Sequence, residues 1–261
     1  MTASAEPSRK KDEKKPLIYR MIYRIVLKVF PKFTLSGTEN LPKEPCVIVG
    51  NHSQMYGPLA AEFYMPRDHY IWCVGEMMNR KEVPAYAFKD FWSLKPQKVQ
   101  WFYRFLSHLI APLSEMIFTN AHTIPVYHDA RIMTTFRKTI ARLDEGADVV
   151  IFPESSEPYN AILTRFHEHF TDLAKIYFRR TGRAVCFVPM YIAPALKTIY
   201  FGTPVQYHPE AKEEEERKRI CGEIMDSICL RARALPLHTV IPYLNIPKAD
   251  YPMNRDGSDN S

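Results

Sequence analysis

Short runs of consecutive apolar, mostly β-branched residues alternate along this chain with stretches whose apolar positions recur at helical spacing, an order that predicts strands wrapped by helices. Cys46 to Val49, entered from Pro45 and broken by Gly50-Asn51, reads as a buried strand, and Tyr70 to Val74, His122 to Val126, Asp148 to Phe152 and Val185 to Ile192 read likewise. Phe33 to Leu35 form a first strand ended by Ser36-Gly37, and Ile199 to Phe201 an edge strand before Gly202. Helices are expected over 59–63, stopped by Pro66, over 132–143, closed by Gly146, and over 166–177, ended near Gly182. A last helix over 213–233 carries Ile220, Ile224, Ile228 and Leu235 as its inner stripe. The fold class that follows is α/β, a single domain with a mostly parallel sheet flanked by helices. Its expected layout is a disordered basic tail over 1–15, an amphipathic helix over 16–32, the α/β domain over 33–236 and a C-terminal tail over 237–261.

Two stretches depart from this alternation. Between Leu17 and Phe30, Arg20, Arg24 and Lys28 recur every fourth residue and share one helical face, while Ile18, Met21, Ile22, Ile25, Val26, Val29 and Phe30 fill the remainder. Such a helix suits a membrane interface, with its cations reaching phosphate headgroups, and equally suits a helix packed on the domain with a basic outer face. From Val83 to Phe118 the chain is dense in aromatics, and Pro84, Pro96 and Pro112 are expected to break it into helical pieces. This segment reads as an apolar ledge for an acyl chain or as plain core.

Charge narrows the range of partners. Lys plus Arg number 35 against 29 for Asp plus Glu, a net charge of +6, which favours an anionic surface or substrate. Nothing in the chain matches a recognition helix or an RNA-binding aromatic motif, so nucleic acid is not an expected partner and membrane lipid is. The five cysteines, Cys46, Cys73, Cys186, Cys221 and Cys229, lack metal-ligand spacing and read as reduced core thiols of a cytosolic protein, with no metal implied. No apolar run reaches the roughly 20 residues of a spanning helix, and no signal peptide is evident.

The chemistry centres on Asn51-His52 at a strand end, where the loops of an open α/β sheet form their crevice. About a hundred residues on, a second strand ends in Phe152-Pro153-Glu154, and Phe187-Val188-Pro189-Met190 forms a third apolar block. The order and spacing of these blocks, over roughly residues 17 to 235, resemble the glycerolipid acyltransferases of the lysophosphatidate acyltransferase type. The chain departs from that pattern at several positions. The first block of the family reads Asn-His-x4-Asp, and the position of its catalytic Asp is Gly57 here. The second ends in Arg, and Ile124-Pro125-Val126-Tyr127 is followed by His128. The third is Phe-Pro-Glu-Gly-Thr, with Ser155 and Ser156 at its last two places.

The resemblance implies a peripheral enzyme on the cytoplasmic face of a membrane, moving a fatty acyl group from a coenzyme A or acyl carrier protein thioester to a lyso-glycerolipid hydroxyl, with no bound cofactor. His52 is the expected base, because neutral imidazole can take the hydroxyl proton at cellular pH. Glu154 is the candidate to orient it in place of the missing Asp, ahead of Asp129 and Glu62, and a cap on backbone N–H groups is the other reading of Glu154. Asn51, Ser53, His128, Arg131, Ser155 and Ser156 are the candidate substrate-binding residues, and Arg20, Arg24 and Lys28 the candidate membrane contacts. Gly57→Asp discriminates between this reading and its alternative, because a gain in turnover would show that the pocket is otherwise competent. The alternative is a catalytically impaired lipid-binding member of the same fold.

Overall fold

The computed structural model describes residues 3–4, 15–93, 95–127 and 129–255. The basic tail expected over 1–15 therefore lies, but for residues 3–4 and Lys15, outside the described residues, and so does His128. In chain order the strands are β1 (Ala3–Ser4), β2 (Thr34–Ser36), β3 (Val47–Gly50), β4 (His69–Val74), β5 (Thr123–Val126), β6 (Asp148–Ile151), β7 (Glu154–Pro158), β8 (Thr164–Phe166), β9 (Cys186–Ala193), β10 (Thr198–Phe201) and β11 (Val205–Gln206). The α-helices are α1 (Leu17–Val29), α2 (Tyr56–Tyr64), α3 (Val83–Ala87), α4 (Gln97–Asn120), α5 (Ile132–Asp144), α6 (Asp172–Thr181) and α7 (Glu213–Ala234). The class is α/β, with a mostly parallel sheet flanked by helices. Packing divides the chain into two compact units, Met1–Ser8 with Pro31–His69 and Ile140–Ser261, and Arg9–Phe30 with Tyr70–Thr139.

In the first unit β3 runs parallel to both of its neighbours, pairing Ile48 with Val150 of β6 and with Val188 of β9. Every residue of β3 and β6 is buried, as a parallel strand covered on both faces must be, and this is why both read as unbroken apolar runs. The expected edge strand is β10, and it lies inside the order β2-β10-β9-β3-β6, parallel to β2 and antiparallel to β9. Helix α7 buries the expected Ile220, Ile224 and Ile228 together with Cys221, Met225 and Cys229, while Leu235 falls just past its end. Gly146 and Gly182 close α5 and α6 at φ +91° and +70°, left-handed values that cost glycine little.

Helix α6 begins six residues later than expected, because Phe166 is drawn into an antiparallel hairpin of β7 and β8, opposite Glu154. The C-terminal segment is no loose tail. Asn254 Nδ2 donates to the Ala232 carbonyl at the end of α7 (2.8 Å), and its Oδ1 accepts the His238 N–H (2.8 Å). The Tyr191 hydroxyl and His238 Nε2 lie 2.8 Å apart in the interior.

The second unit holds α1, the parallel pair β4–β5, α3 and α4. A small core of Val83, Ala87 and Ala111 is flanked by Met77, Trp92 and Ile110. Helix α4 runs through Pro112, where the sequence predicts a break. Pro112 and His108 both face solvent, so water can take the His108 carbonyl that the proline leaves without an N–H partner. The apolar surface of α4 is turned outward. Its buried positions are the small Ser107, Ala111 and Ser114, while Trp101, Phe105, Leu109 and Leu113 are 70, 63, 63 and 43% exposed.

Candidate active site

Parallel pairing of β3 with β6 aligns Val49 with Ile151, so the chain leaves both strands at the same end of the sheet. Asn51-His52 and Phe152-Pro153-Glu154 are thereby brought side by side. Contact between the two blocks runs through the main chain: the His52 N–H donates to Glu154 Oε2 at 2.6 Å. Oε1 of the same carboxylate accepts from the Thr164 N–H and from the Thr164 hydroxyl, each at 3.0 Å. Glu154 therefore caps two backbone segments and does not orient the imidazole, a correction to its expected catalytic role. Burial pushes its pKa above the ordinary carboxylate range, against the pull of these donors.

Asn51 and Ser53 also turn inward. The Asn51 carboxamide accepts the Ile192 N–H (2.7 Å) and donates to the Ile192 carbonyl (3.0 Å) and to Ser53 Oγ (2.7 Å). Both residues are almost wholly buried, so they fasten the end of β3 to β9 and are not free to meet a substrate. The next turn is strained, since Ser53 and Gln54 take φ values of +46° and +53°, in a region that non-glycine residues seldom enter.

The His52 ring lies between two aromatic rings. Phe152 and Tyr243 each meet it edge to face with centroids 5.5 Å away. Nδ1 is withdrawn from solvent and has no hydrogen-bond partner. Desolvation lowers the His52 pKa from 6.5 to about 4, which the Gln54 backbone only partly offsets. The imidazole is neutral at cellular pH, and among the described residues no carboxylate holds its tautomer or stabilises a proton upon it. Tyr243 belongs to the C-terminal segment, which is tied to the same loop through Gln54: Nε2 donates to the Tyr251 hydroxyl at 3.0 Å. Sequence reasoning missed Tyr243 and Tyr251, and the paired Tyr-Pro steps of that segment offered no periodicity to find them by.

The Gly57 position cannot take back a carboxylate. A Cβ there would lie 2.2 Å from the His52 carbonyl oxygen and 3.0 Å from that of Asn51, because the Gly57 N–H closes onto the His52 carbonyl at 3.0 Å. A side chain at this position has to displace backbone, so the loop as it stands is built around glycine.

Other expected site residues are occupied or apart. Ser155 is buried, and its Oγ accepts the Glu157 N–H at 3.2 Å, while Ser156 is exposed on the hairpin. Arg131, in the second unit, is held by Asp129 (2.8 Å), Glu82 (3.2 Å) and Glu76 (3.9 Å) and lies over the Tyr127 ring at 3.9 Å. Those carboxylates raise its pKa further and already engage its N–H donors, which leaves few for an acceptor phosphate.

No model of a known protein family matches the sequence, and no curated protein does. Among solved structures, the chain is similar to the 1-acyl-sn-glycerophosphate (LPA) acyltransferase PlsC from Thermotoga maritima, at 18% identity and a TM-score of 0.46 over 84% of this chain and 81% of that one.

Proposed function

We propose that this chain is a lipid-binding protein of the membrane surface, built on a scaffold resembling the glycerolipid acyltransferases, in which acyl transfer by His52 is impaired. The observation that carries this reading is the surround of the imidazole, with Phe152 and Tyr243 against its ring and its pKa lowered to about 4. A base that weak and without an orienting carboxylate forfeits much of what such a dyad supplies, on the order of 10⁴ in turnover where the carboxylate of a Ser-His-Asp set is lost.

The lipid side of the reading is supported by the second unit. Leu17, Ile18, Met21, Ile25 and Val29 of α1 are 55 to 77% exposed and fall on one face, while Tyr19 is the buried residue of that helix. Arg20, Arg24 and Lys28 flank this stripe and make no ion pair among the described residues. An outward apolar stripe with a cationic margin is what a helix lying at the acyl boundary requires. No helix among the described residues is long and apolar enough to cross a membrane.

A second reading, transfer of an acyl group from a coenzyme A or acyl carrier protein thioester to a lyso-glycerolipid on the cytoplasmic face of a membrane, is favoured by the meeting of the Asn51-His52 and Glu154 blocks. Thiol release from acyl thioesters in the presence of lyso-lipids separates the two. The binding reading expects no release above that of His52→Ala, with vesicle binding equal in both proteins. Release that depends on His52 would replace it with the enzyme reading.

A further inference from the structure

A cavity of about 280 Å³ in the second unit is lined by Lys81, Pro84, Ala85, Phe88, Arg104, Ser107 and His108. Arg104 and His108 stand one helical turn apart on α4, so both project to the same side. The Arg104 guanidinium lies 4.7 Å from the Phe88 ring centroid, which holds its planar fork at the cavity wall. No carboxylate lines this space. Lys81 and Arg104 make no ion pair among the described residues, in contrast to Arg131 in the same unit with its three carboxylates.

We propose that this cavity binds the phosphate of a phosphomonoester lipid headgroup. The cations Lys81 and Arg104 match the charge of a phosphate monoester and supply N–H donors to its oxygens, with the His108 ring on the same wall. The volume falls near the lower end of ligand sites, about 300 Å³, which suits a headgroup and not a whole lipid. The tail has its own place. Phe105 and Leu109, the residues that follow Arg104 and His108 on α4, are each 63% exposed, so an amphiphile with its phosphate in the cavity lays its chains along the outward apolar stripe. That the phosphate belongs to a lipid rests on the membrane reading above; the cavity's preference for a phosphomonoester does not.

The test compares neutral vesicles carrying phosphatidic acid with vesicles of matched surface charge carrying the phosphodiester phosphatidylglycerol. The full chain should bind the phosphatidic acid vesicles about tenfold more tightly, as one additional charge-assisted contact allows. The Lys81→Gln/Arg104→Gln protein, with unchanged circular dichroism, should lose that preference, because the general attraction of two cations to anionic lipid falls equally for both vesicles and only the phosphomonoester contact is specific to one. Where vesicles are bound, an equal preference in both proteins, or none in the wild type, overturns the site. A soluble arm keeps the two readings apart: sn-glycerol 3-phosphate should shift the His108 ring resonances in the wild type and not in the double variant. If no vesicle is bound yet this shift occurs, the membrane reading fails and the phosphomonoester site stands. If the shift is absent, the site falls whatever the vesicles do.

Discussion

The main-chain N–H of His52 is held by Glu154 Oε2 at 2.6 Å, so the carboxylate fixes the position of the histidine while leaving its ring untouched. Three buried donors converge on this one group. Glu154→Gln turns one acceptor oxygen into an NH2 facing an N–H, and should cost about 2–4 kcal/mol in urea unfolding, from the loss of a charged acceptor and the donor left unpaired. The His52 ring nitrogen shifts should keep the wild-type tautomer pattern; a tautomer change would restore the orienting role to Glu154.

Gly57 permits the tight closure of the loop onto the His52 carbonyl. Gly57→Ala, with its Cβ at 2.2 Å from that oxygen, must displace backbone, and a loss of roughly 3 kcal/mol or more in stability is expected. Gly57→Asp should lose at least as much and release no additional thiol from acyl thioesters. A stable, faster Gly57→Asp protein would mean that the loop opens readily.

Burial of the His52 ring makes stability depend on pH. The folded pKa of about 4 lies below the ordinary imidazole value of 6.5, so within that window the unfolded chain binds a proton that the folded chain refuses. The contribution is fully present above pH 6.5 and is lost as pH falls towards 4, to a maximum of about 3 kcal/mol. Urea midpoints for the wild type and His52→Gln should therefore converge as the pH is lowered through this window. Parallel curves would mean that the ring is not desolvated in solution.

Tyr243 supplies one of the two rings that exclude water from His52. In Tyr243→Ala, water replaces that ring, and the imidazole pKa read from its NMR titration should rise by about one unit or more towards 6.5. A value that stays near 4 would assign the desolvation to Phe152 and the sheet.

On the outward face of the second unit, Ile25→Ser and Leu109→Ser each remove a large exposed side chain. Each should weaken co-sedimentation with vesicles about tenfold, the scale of burying one such side chain in an apolar phase. Arg20→Gln, Arg24→Gln and Lys28→Gln should each remove about 1 kcal/mol of attraction to anionic lipid, with a matching loss of salt sensitivity. Binding unchanged in all five would remove the membrane from the proposal.

The strands were legible wherever burial on both faces demands an unbroken β-branched run, as in Val47-Ile48-Val49 and Val149-Val150-Ile151. Helix ends were legible at Gly146 and Gly182, where a left-handed residue is cheap. The meeting of the His52 and Glu154 blocks was implied by the family resemblance and not by any local period. What could not be read was which atom of each residue does the pairing, since a carboxylate serves a ring N–H and a backbone N–H equally well. Pro112 misled for the opposite reason: its cost depends on whether the freed carbonyl meets water, a matter of tertiary placement. The strap from 237 to 255 lay beyond reach because its contacts, Tyr251 with Gln54 and Asn254 with Ala232, obey no local period.

Tyr251 and Gln54 meet across 197 positions of chain, which gives the covering of His52 a place in time as well as in space. During synthesis the histidine emerges long before the segment that shields it, and contacts of such long range form after local ones. Until that stretch is seated, or once a protease removes it, the ring has Phe152 beside it but not Tyr243, and its basicity moves back towards the ordinary value. The proton affinity of one side chain thus reports whether the segment carrying Tyr243 and Tyr251 has docked.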